Sequence, residues 1–398
     1  MLKKSLVLIV LVILTAQAFP IVGAGSPPTS PLLTLLSQVP DGDPAHQSLS
    51  YVDMDALFAA RPGATRPTDY TQWDASSNGT DDQKLTLAVL TGIRVGPNGL
   101  LLTLGNPAAI VKSVGIDLFT IHQMVEFGAP PSIGTILAGD FDPAAIGKAL
   151  SGSGFVSSTL DTMTIWCSPD GCDQGAKLDP QHIDIHNPFG GDLGRREPIV
   201  PQPDRVLSSS SLPVVQSMLD VHTNGAASLA DNAAYRATAE ALAAQGSIIQ
   251  VFIPDPARVK AVRAAKPTTP ALPDYGLVTF AHVADSQSQQ GIVALEYDSA
   301  SGAQTASEAI VSALAAYQLS SRRQPFTKVV TEFGGTLESP QVFTASNGKS
   351  VVLVTLRAPI ETADKGASGR YTPSGTMFRL LIDLVDRRDV GWLGVPSQ

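Results

Sequence analysis

Three residues that can bind a metal ion alternate in the stretch QHIDIH, residues 181–186. They are His182, Asp184 and His186. On an extended strand, alternate side chains share one face. Two imidazoles and one carboxylate suit zinc or a similar transition metal that keeps one coordination position open. The spacing therefore raises the hypothesis of a metal-dependent enzyme or a metal carrier.

The same spacing also argues against a metal site. Residues two positions apart on a strand are separated by roughly 7 Å, which is too far for adjacent ligation unless the strand curves. In the alternative interpretation Ile183 and Ile185 pack inward and the three polar side chains face water. We favour this interpretation, so the sequence predicts no metal ligand, no cofactor and no catalytic residue.

Other patterns that resemble catalytic sites have structural explanations. Ser346 and Lys349 match Ser-x-x-Lys, but the Asn-Gly pair between them is typical of a hairpin turn, and the catalytic motif requires the start of a helix. Asp142 and Asp298 each lie next to a predicted helix start, where a carboxylate caps backbone amides. Enzymatic activity is therefore the less favoured hypothesis.

The chain contains two cysteines, Cys167 and Cys172, in the stretch WCSPDGCDQG. The Pro-Asp-Gly sequence between them is typical of a turn that brings the two sulfur atoms together. Catalytic dithiols more often use Cys-x-x-Cys at a helix start. In an oxidising compartment this pair predicts a structural disulfide.

Residues 1–24 predict a signal peptide or a membrane anchor. Two lysines precede an apolar run from Leu6 to Leu14, and Ala16-Gln17-Ala18 is a small-x-small cleavage signal. If uncleaved, Ser5 to Ala24 would be just long enough to span a bilayer. Either outcome places the bulk of the chain outside the cytoplasm, either secreted or tethered to the outer face of the membrane.

The charge pattern excludes several kinds of partner. The formal net charge is −9 over 398 residues, and no basic run of the kind that follows a phosphate backbone is present. Binding of nucleic acid and electrostatic docking to anionic lipid are therefore disfavoured. Membrane contact is expected only through the N-terminal segment, if it is uncleaved.

The order of elements predicts an α+β protein built from a duplicated module. Both halves are interpreted as a strand, several helices, a strand pair, a helix and more strands, which indicates antiparallel sheets backed by helices. In the second half the last three predicted strands are residues 326–334, 341–345 and 350–358, with an Asn347-Gly348 turn between the last two. The predicted divisions after the signal segment are a Pro-rich tether at 25–47, a first module at 48–167, a connecting segment at 168–203 and a second module at 204–398.

The stretch SLADNAAYRATAEAL, residues 228–242, resembles a segment of secreted bacterial proteins of unknown function. Some members of that group contain a duplicated α+β module. The resemblance covers about fifteen residues. It implies a secreted location and a fold, and it supplies no chemistry.

Together these features predict an extracytoplasmic, envelope-associated binding or scaffolding protein without catalytic activity, with a protein partner in the cell envelope. Two alternatives stay open. One is the metal-dependent enzyme or metal carrier described above. The other is a small-ligand binding protein whose site lies between the two halves, since such sites commonly form in clefts.

The cysteine pair yields the first testable prediction. Mass spectrometry of the non-reduced mature protein should show Cys167 joined to Cys172. Reduction should lower the free energy of unfolding by no more than about 2 kcal/mol, because so short a loop constrains the unfolded chain little. Two thiols that alkylate without prior reduction would contradict the prediction.

Overall fold

The computed structural model describes residues 30–75, 81–97, 100, 106–255, 272–360 and 375–393. The predicted signal peptide or anchor and the first five residues of the predicted tether lie outside the described residues. The α-helices of the described part are α1 (Pro31–Leu36), α2 (Asp43–Gln47), α3 (Met54–Ala59), α4 (Tyr70–Ala75), α5 (Asp81–Leu90), α6 (Pro107–Val114), α7 (Pro143–Gly152), α8 (Leu212–Asn224), α9 (Ala233–Ala243), α10 (Ala300–Ala316), α11 (Phe326–Glu332) and α12 (Thr376–Asp386).

The strands are β1 (Leu49–Asp53), β2 (Ile121–Ala129), β3 (Ser132–Gly139), β4 (Val156–Leu160), β5 (Met163–Cys167), β6 (Ile199–Pro201), β7 (Arg205–Ser209), β8 (Ser247–Ile253), β9 (Val278–Ala284), β10 (Ser288–Tyr297), β11 (Gln318–Leu319), β12 (Gln324–Pro325), β13 (Thr336–Leu337), β14 (Gln341–Thr344) and β15 (Ser350–Pro359). Thirteen of them form one sheet in the order β13-β15-β10-β9-β8-β1-β2-β3-β7-β6-β5-β4, with β14 also paired to β15. The short strands β11 and β12 pair separately.

The two halves of the chain meet in the middle of this sheet. Strands β1, β2 and β3 lie side by side, as do β8, β9 and β10, and β1 pairs with β8 in antiparallel register from Leu49 opposite Ile253 to Val52 opposite Gln250. A single sheet therefore runs through both halves. The predicted α+β class, an antiparallel sheet backed by helices, is confirmed.

Helices cover both faces of the sheet. One hydrophobic core lies under α3, α5, α6, α7, α10, α11 and α12, and a second lies under α1, α8 and α9. Alternate residues of β9 enter opposite cores: Phe280 packs in the first, and Ala281 and Val283 pack in the second. Every residue of β9 and β10 is buried. Central strands of this kind are apolar on both faces because neither face meets water.

Residues 30–47 do not form a tether, and this part of the prediction was wrong. Ser30 begins α1 as its N-cap, accepting a hydrogen bond from the Leu33 amide at 3.2 Å, and Pro31 occupies the first turn. Leu32, Leu35 and Leu36 are buried against the second core. Their i, i+3, i+4 spacing is typical of a helix. The high proline content of the segment led to the prediction of a tether instead.

The predicted strand at residues 326–334 is also wrong, because the structure has helix α11 there. Phe326, Val329 and Val330 are its buried residues, again at i, i+3 and i+4. The two predicted strands that follow are confirmed as β14 and β15. Gly348, with a φ of 84°, lies in the turn between them, where a residue without a side chain is favoured.

The predicted module boundaries do not coincide with the arrangement of the strands. Strand β7 falls within the predicted second module, yet it pairs with β3 of the first half. Strand β6 comes from the connecting segment and pairs with β7. Both halves share a strand-strand-helix order, β2-β3-α7 and β9-β10-α10, but β4 joins the main sheet while β11 pairs with β12. The duplication itself stays a prediction.

The predicted helix caps differ between the halves. Asp142 caps α7, accepting a hydrogen bond from the Ala144 amide at 2.9 Å. At α10 the cap is Ser299, which accepts from the Gly302 amide at 3.1 Å. The carboxylate of Asp298 pairs with Lys349 instead.

Three buried polar side chains cross the central strands and form what we call the polar row: Gln250 on β8, His282 on β9 and Gln289 on β10. The Gln250 amide donates to the Gly92 carbonyl at 3.1 Å and to His282 Nδ1 at 3.4 Å. His282 Nε2 donates to Gln289 Oε1 at 3.1 Å, and the Gly375 amide donates to the same oxygen at 2.9 Å. The row therefore ties three strands to the loop after α5 and to the start of α12.

The hydrogen bonds of the row require a neutral imidazole at His282. Complete burial lowers the pKa of His282 to about 4, although the hydrogen bond with Gln289 acts in the opposite direction. Protonation would place a donor on Nδ1, facing the amide donor of Gln250. The ring also stacks on Phe378 of α12, with centroids 5.9 Å apart.

We predict that the row makes the protein acid-sensitive. The unfolded state takes up a proton at His282 near the usual pKa of about 6.5, and the folded state does so only near 4. This contribution to the free energy of unfolding is therefore complete above about pH 6.5 and is lost as the pH falls toward 4, by about 3 kcal/mol at most. Denaturant titrations between pH 4.5 and 7.5 measure it.

His282→Gln should reduce this slope of stability against pH, whatever its stability at pH 7, because an amide can donate and accept without titrating. His186→Gln is the matched control, because it replaces an imidazole that lies outside the polar row, on the loop after the 3-10 turn Pro180–His182. Equal slopes for the wild type and His282→Gln would refute the prediction.

Candidate functional site

The QHIDIH stretch is not a strand, so the geometry proposed for a metal site is absent. Residues Pro180–His182 form a 3-10 turn, and an irregular loop follows. Ile183 and Ile185, predicted to pack inward, are 54% and 62% exposed. Pro180 and Pro188 bracket the stretch, and a proline cannot donate to a strand ladder.

Asp184 organises this loop from within it. Its Oδ2 accepts from Ser113 Oγ of α6 at 2.5 Å, and its Oδ1 accepts from the His186 amide at 2.9 Å. Its own amide donates to the Gly191 carbonyl at 2.8 Å. The carboxylate is therefore occupied in holding the loop against α6.

The two histidines of the stretch have different surroundings. His182 Nδ1 bonds Asp179 Oδ2 at 2.6 Å, whereas His186 lies with Asp184 beside the groove between α6 and α7. Within the described ranges, no group of three or more His, Cys, Asp and Glu side chains is placed to hold a metal ion. Of the three residues, only Asp184 and His186 are in contact, and their hydrogen bond holds the loop.

Ser346 and Lys349 bond different partners. Ser346 donates from its hydroxyl and its amide to the two carboxylate oxygens of Glu240 on α9, at 2.7 and 2.8 Å. Lys349 pairs with Glu296 at 3.0 Å. The contacts attach the β14–β15 hairpin to α9 and do not couple a serine to a lysine.

The two cysteines lie at disulfide distance, with Cα atoms 4.8 Å apart. Cys167 ends β5 and Cys172 begins a 3-10 turn, Cys172–Gln174. The Gly171 amide donates to the Ser168 carbonyl at 2.9 Å and closes the turn between them. The pairing expected from the Pro-Asp-Gly turn is the one the structure contains.

A cleft of about 530 Å³ lies where the two halves of the sheet meet, and we call it the seam cleft. It opens between β1, β2 and β8 on one side and the C-terminal end of α12 on the other. Its lining comprises Gln47, Ser48, Ser50, Arg94, Val95, Gly96, Glu126, Gly128, Ala129, Pro130, Ile133, Phe252, Pro254, Asp255, Ile382, Val385, Asp386, Arg388 and Val390. Both halves of the chain therefore contribute to it.

The seam cleft combines apolar walls with charged groups. Phe252 of β8 and Val385 of α12 are half-buried and supply the exposed apolar surface, while Val95 and Ile382 are buried behind it. The residues that line the cleft also include the positively charged Arg94. A cleft of this composition can enclose an apolar body and orient a polar group.

Arg94 connects the seam cleft to the polar row. Its backbone amide donates to Gln250 Oε1 at 2.8 Å, and its Nη2 donates to Asp383 Oδ1 of α12 at 3.0 Å. The buried Gln250 thus fixes the main chain of Arg94, and α12 orients its side chain. A buried group therefore holds the main chain at Arg94, and a carboxylate on α12 directs the cation.

The seam cleft is not evident in the sequence, because its lining residues extend from Gln47 to Val390 and form no motif. One feature of the sequence does indicate buried polar contacts next to the cleft. Gln250 interrupts the apolar strand SIIQVFI, and a buried amide in such a strand requires partners. Those partners are Gly92, His282 and Arg94.

Comparisons with known proteins give no family. No protein-family model matches the chain, and no curated protein matches it significantly. Two solved structures, crystal forms I and III of TP0453, align with 79% of this chain at 7% and 9% identity, with TM-scores of 0.31 and 0.32. The alignments cover 92% and 94% of those chains. Within the part of the chain that the structure describes, no helix has the length and apolar character needed to cross a membrane.

The loop geometry predicts that Asp184 has a structural role. Asp184→Ala should lower the free energy of unfolding by about 1–2 kcal/mol, because it leaves Ser113 and the His186 amide without their acceptor. His182→Ala, at an exposed position, should change it by less than about 0.5 kcal/mol. Denaturant titration of the two variants measures the difference.

A metal site would give a different result. Zinc that binds only the folded state, at a hundred times its dissociation constant, would add roughly 2.7 kcal/mol. We expect the melting temperature of chelator-treated wild type to be unchanged by added zinc. A zinc-dependent rise in the wild type that is lost in both variants would restore the metal hypothesis.

Proposed function

We propose that this is an extracytoplasmic binding protein that holds a small amphiphilic molecule in the seam cleft. The observation that carries the proposal is the cleft itself: about 530 Å³ of concave space at the junction of the two halves. Pockets for small ligands are typically a few hundred to about a thousand Å³, mostly apolar, with a few polar groups that fix orientation.

The proposed location rests on two features. The N-terminal sequence has the charged start, apolar run and small-residue motif of a secretory signal. Cys167 and Cys172 lie at disulfide distance, and disulfides persist mainly in oxidising compartments.

The proposed partner in the cell envelope would bind exposed apolar side chains of the connecting segment, residues 168–203. Four large apolar side chains there are more than 40% exposed: Leu178, Ile183, Ile185 and Leu193. The segment lies at the α6–α7 side of the sheet, through the contact of Asp184 with Ser113. None of these four side chains lines the seam cleft, so a partner bound there would contact residues other than those of the cleft.

The neutral dye N-phenyl-1-naphthylamine, which fluoresces in apolar surroundings, tests ligand binding. The wild type should bind it saturably at one site. Ser48→Trp should weaken that binding at least about tenfold, because Ser48 lines the cleft and an indole there would occupy the space of the dye. Fluorescence titration gives the dissociation constants.

Ser157→Trp is the matched control. Ser157 is an exposed residue of extended backbone on β4, at the far end of the sheet from the cleft. Its dye affinity should equal that of the wild type. Absence of saturable binding, or equal weakening by both tryptophan variants, would count against the proposed function.

A further inference from the structure

Arg94 is held at the wall of the seam cleft more firmly than a surface arginine would be. Gln250, which fixes its amide, is fully buried and is itself held by the Gly92 carbonyl and by His282. The Arg94 side chain is 32% exposed, so most of it is enclosed by neighbouring groups. A pre-positioned guanidinium loses little conformational entropy when it binds a ligand.

The guanidinium of Arg94 has donor capacity beyond its contact with Asp383. An arginine side chain carries five N–H donors, and the Asp383 contact is made through Nη2. Nε is shielded from solvent, so the donors that a ligand could reach are those of the two Nη nitrogens.

Asp383 does not remove the charge of Arg94 from the cleft. The Asp383 side chain is 49% exposed, so water screens its pairing with Arg94. The carboxylate of Asp383 on α12 therefore sets the direction of the guanidinium. The remaining donors can then bind a second acceptor.

Acidic groups also line the cleft, so the electrostatic potential of the whole cleft does not attract an anion. An anion would instead have to bind through a direct contact with one positively charged side chain. Asp386 lies at the end of α12 near Arg388, and Glu126 and Asp255 already have interactions within the protein. Glu126 is one of the charges that, with burial as the larger cause, raise the pKa of Glu197 to about 7. Arg94 differs from these groups because its main chain is hydrogen-bonded to the fully buried side chain of Gln250.

We propose that Arg94 recognises the acidic group of the ligand, so that the molecule bound in the seam cleft is an amphiphilic organic anion. The ligand places a carboxylate, or a sulfonate in a synthetic analogue, on the guanidinium, and its apolar body lies against Phe252 and Val385. Hydrogen bonds between two charged groups are roughly twice as strong as neutral ones. This inference rests on the proposed function and adds the class of ligand to it.

Two dyes with the same ring system separate the two proposals. N-phenyl-1-naphthylamine is neutral, and 8-anilino-1-naphthalenesulfonate adds one sulfonate to the same framework. The wild type should bind the sulfonate about tenfold more tightly than the neutral dye, as one charged hydrogen-bonded contact allows. Competition between the dyes in fluorescence titrations should show that they share the site.

Arg94→Met should abolish this preference, so that the two dyes bind with similar dissociation constants, because the substitution removes every donor of the side chain. Arg94→Lys should restore part of the preference, since it keeps the charge and loses the planar fork. Arg236→Met is the matched control: Arg236 lies on α9, on the opposite face of the sheet, with its side chain 42% exposed. It should bind both dyes as the wild type does.

The outcomes distinguish the two proposals. Equal affinity of the wild type for both dyes, or a preference that survives in Arg94→Met, would overturn the role of Arg94 while binding of the neutral dye still supported the cleft. Saturable binding of neither dye would overturn both. Retained binding of the neutral dye also shows that the Arg94 variants are folded, so a lost preference cannot be attributed to unfolding.

Discussion

Gln250, His282 and Gln289 are neighbours on three adjacent strands that are mostly apolar and almost entirely buried. Each of these side chains would cost roughly 1–3 kcal/mol if it were buried without partners. Their partners are one another and the main chain at Ala60, Gly92, Arg94 and Gly375. The loop after α5 and the start of α12 must therefore dock in one arrangement if the row is to be satisfied. Hydrogen-bond satisfaction thus restricts a sheet–helix contact that apolar packing alone would leave free to slide.

The seam cleft follows from that arrangement and from the pairing of β1 with β8. Because these two strands are neighbours, a single sheet runs through both halves, and the cleft forms on the face where α12 crosses the junction. The polar row then places Arg94 in the wall. Protonation of His282 would weaken the row, so the same hydrogen bonds link acid stability to the shape of the cleft. A variant of the row should accordingly affect both properties.

The alternating His182, Asp184 and His186 illustrate how a spacing can suggest chemistry that the fold does not provide. A metal site built from this spacing would require an extended strand. Prolines on both sides and the Asx-type contacts of Asp184 produce a loop instead, and the carboxylate is used to hold that loop on α6. The polar residues that do converge, Gln250 and His282, are 32 positions apart in the chain and are adjacent only through the sheet.

Local features could be predicted from the sequence because they depend on neighbouring residues. These include the helix cap at Asp142, the β14–β15 hairpin, the cysteine pair and the α+β class. Helical spacing is present in the sequence at Leu32 to Leu36 and at Phe326 to Val330. The high proline content of the first stretch and the β-branched residues of the second favoured other predictions. The seam cleft and the polar row depended on the tertiary structure, because they arise from strand neighbours far apart in the chain. Strand order is decided by how the two cores pack on a shared sheet, a property that no short stretch of sequence contains.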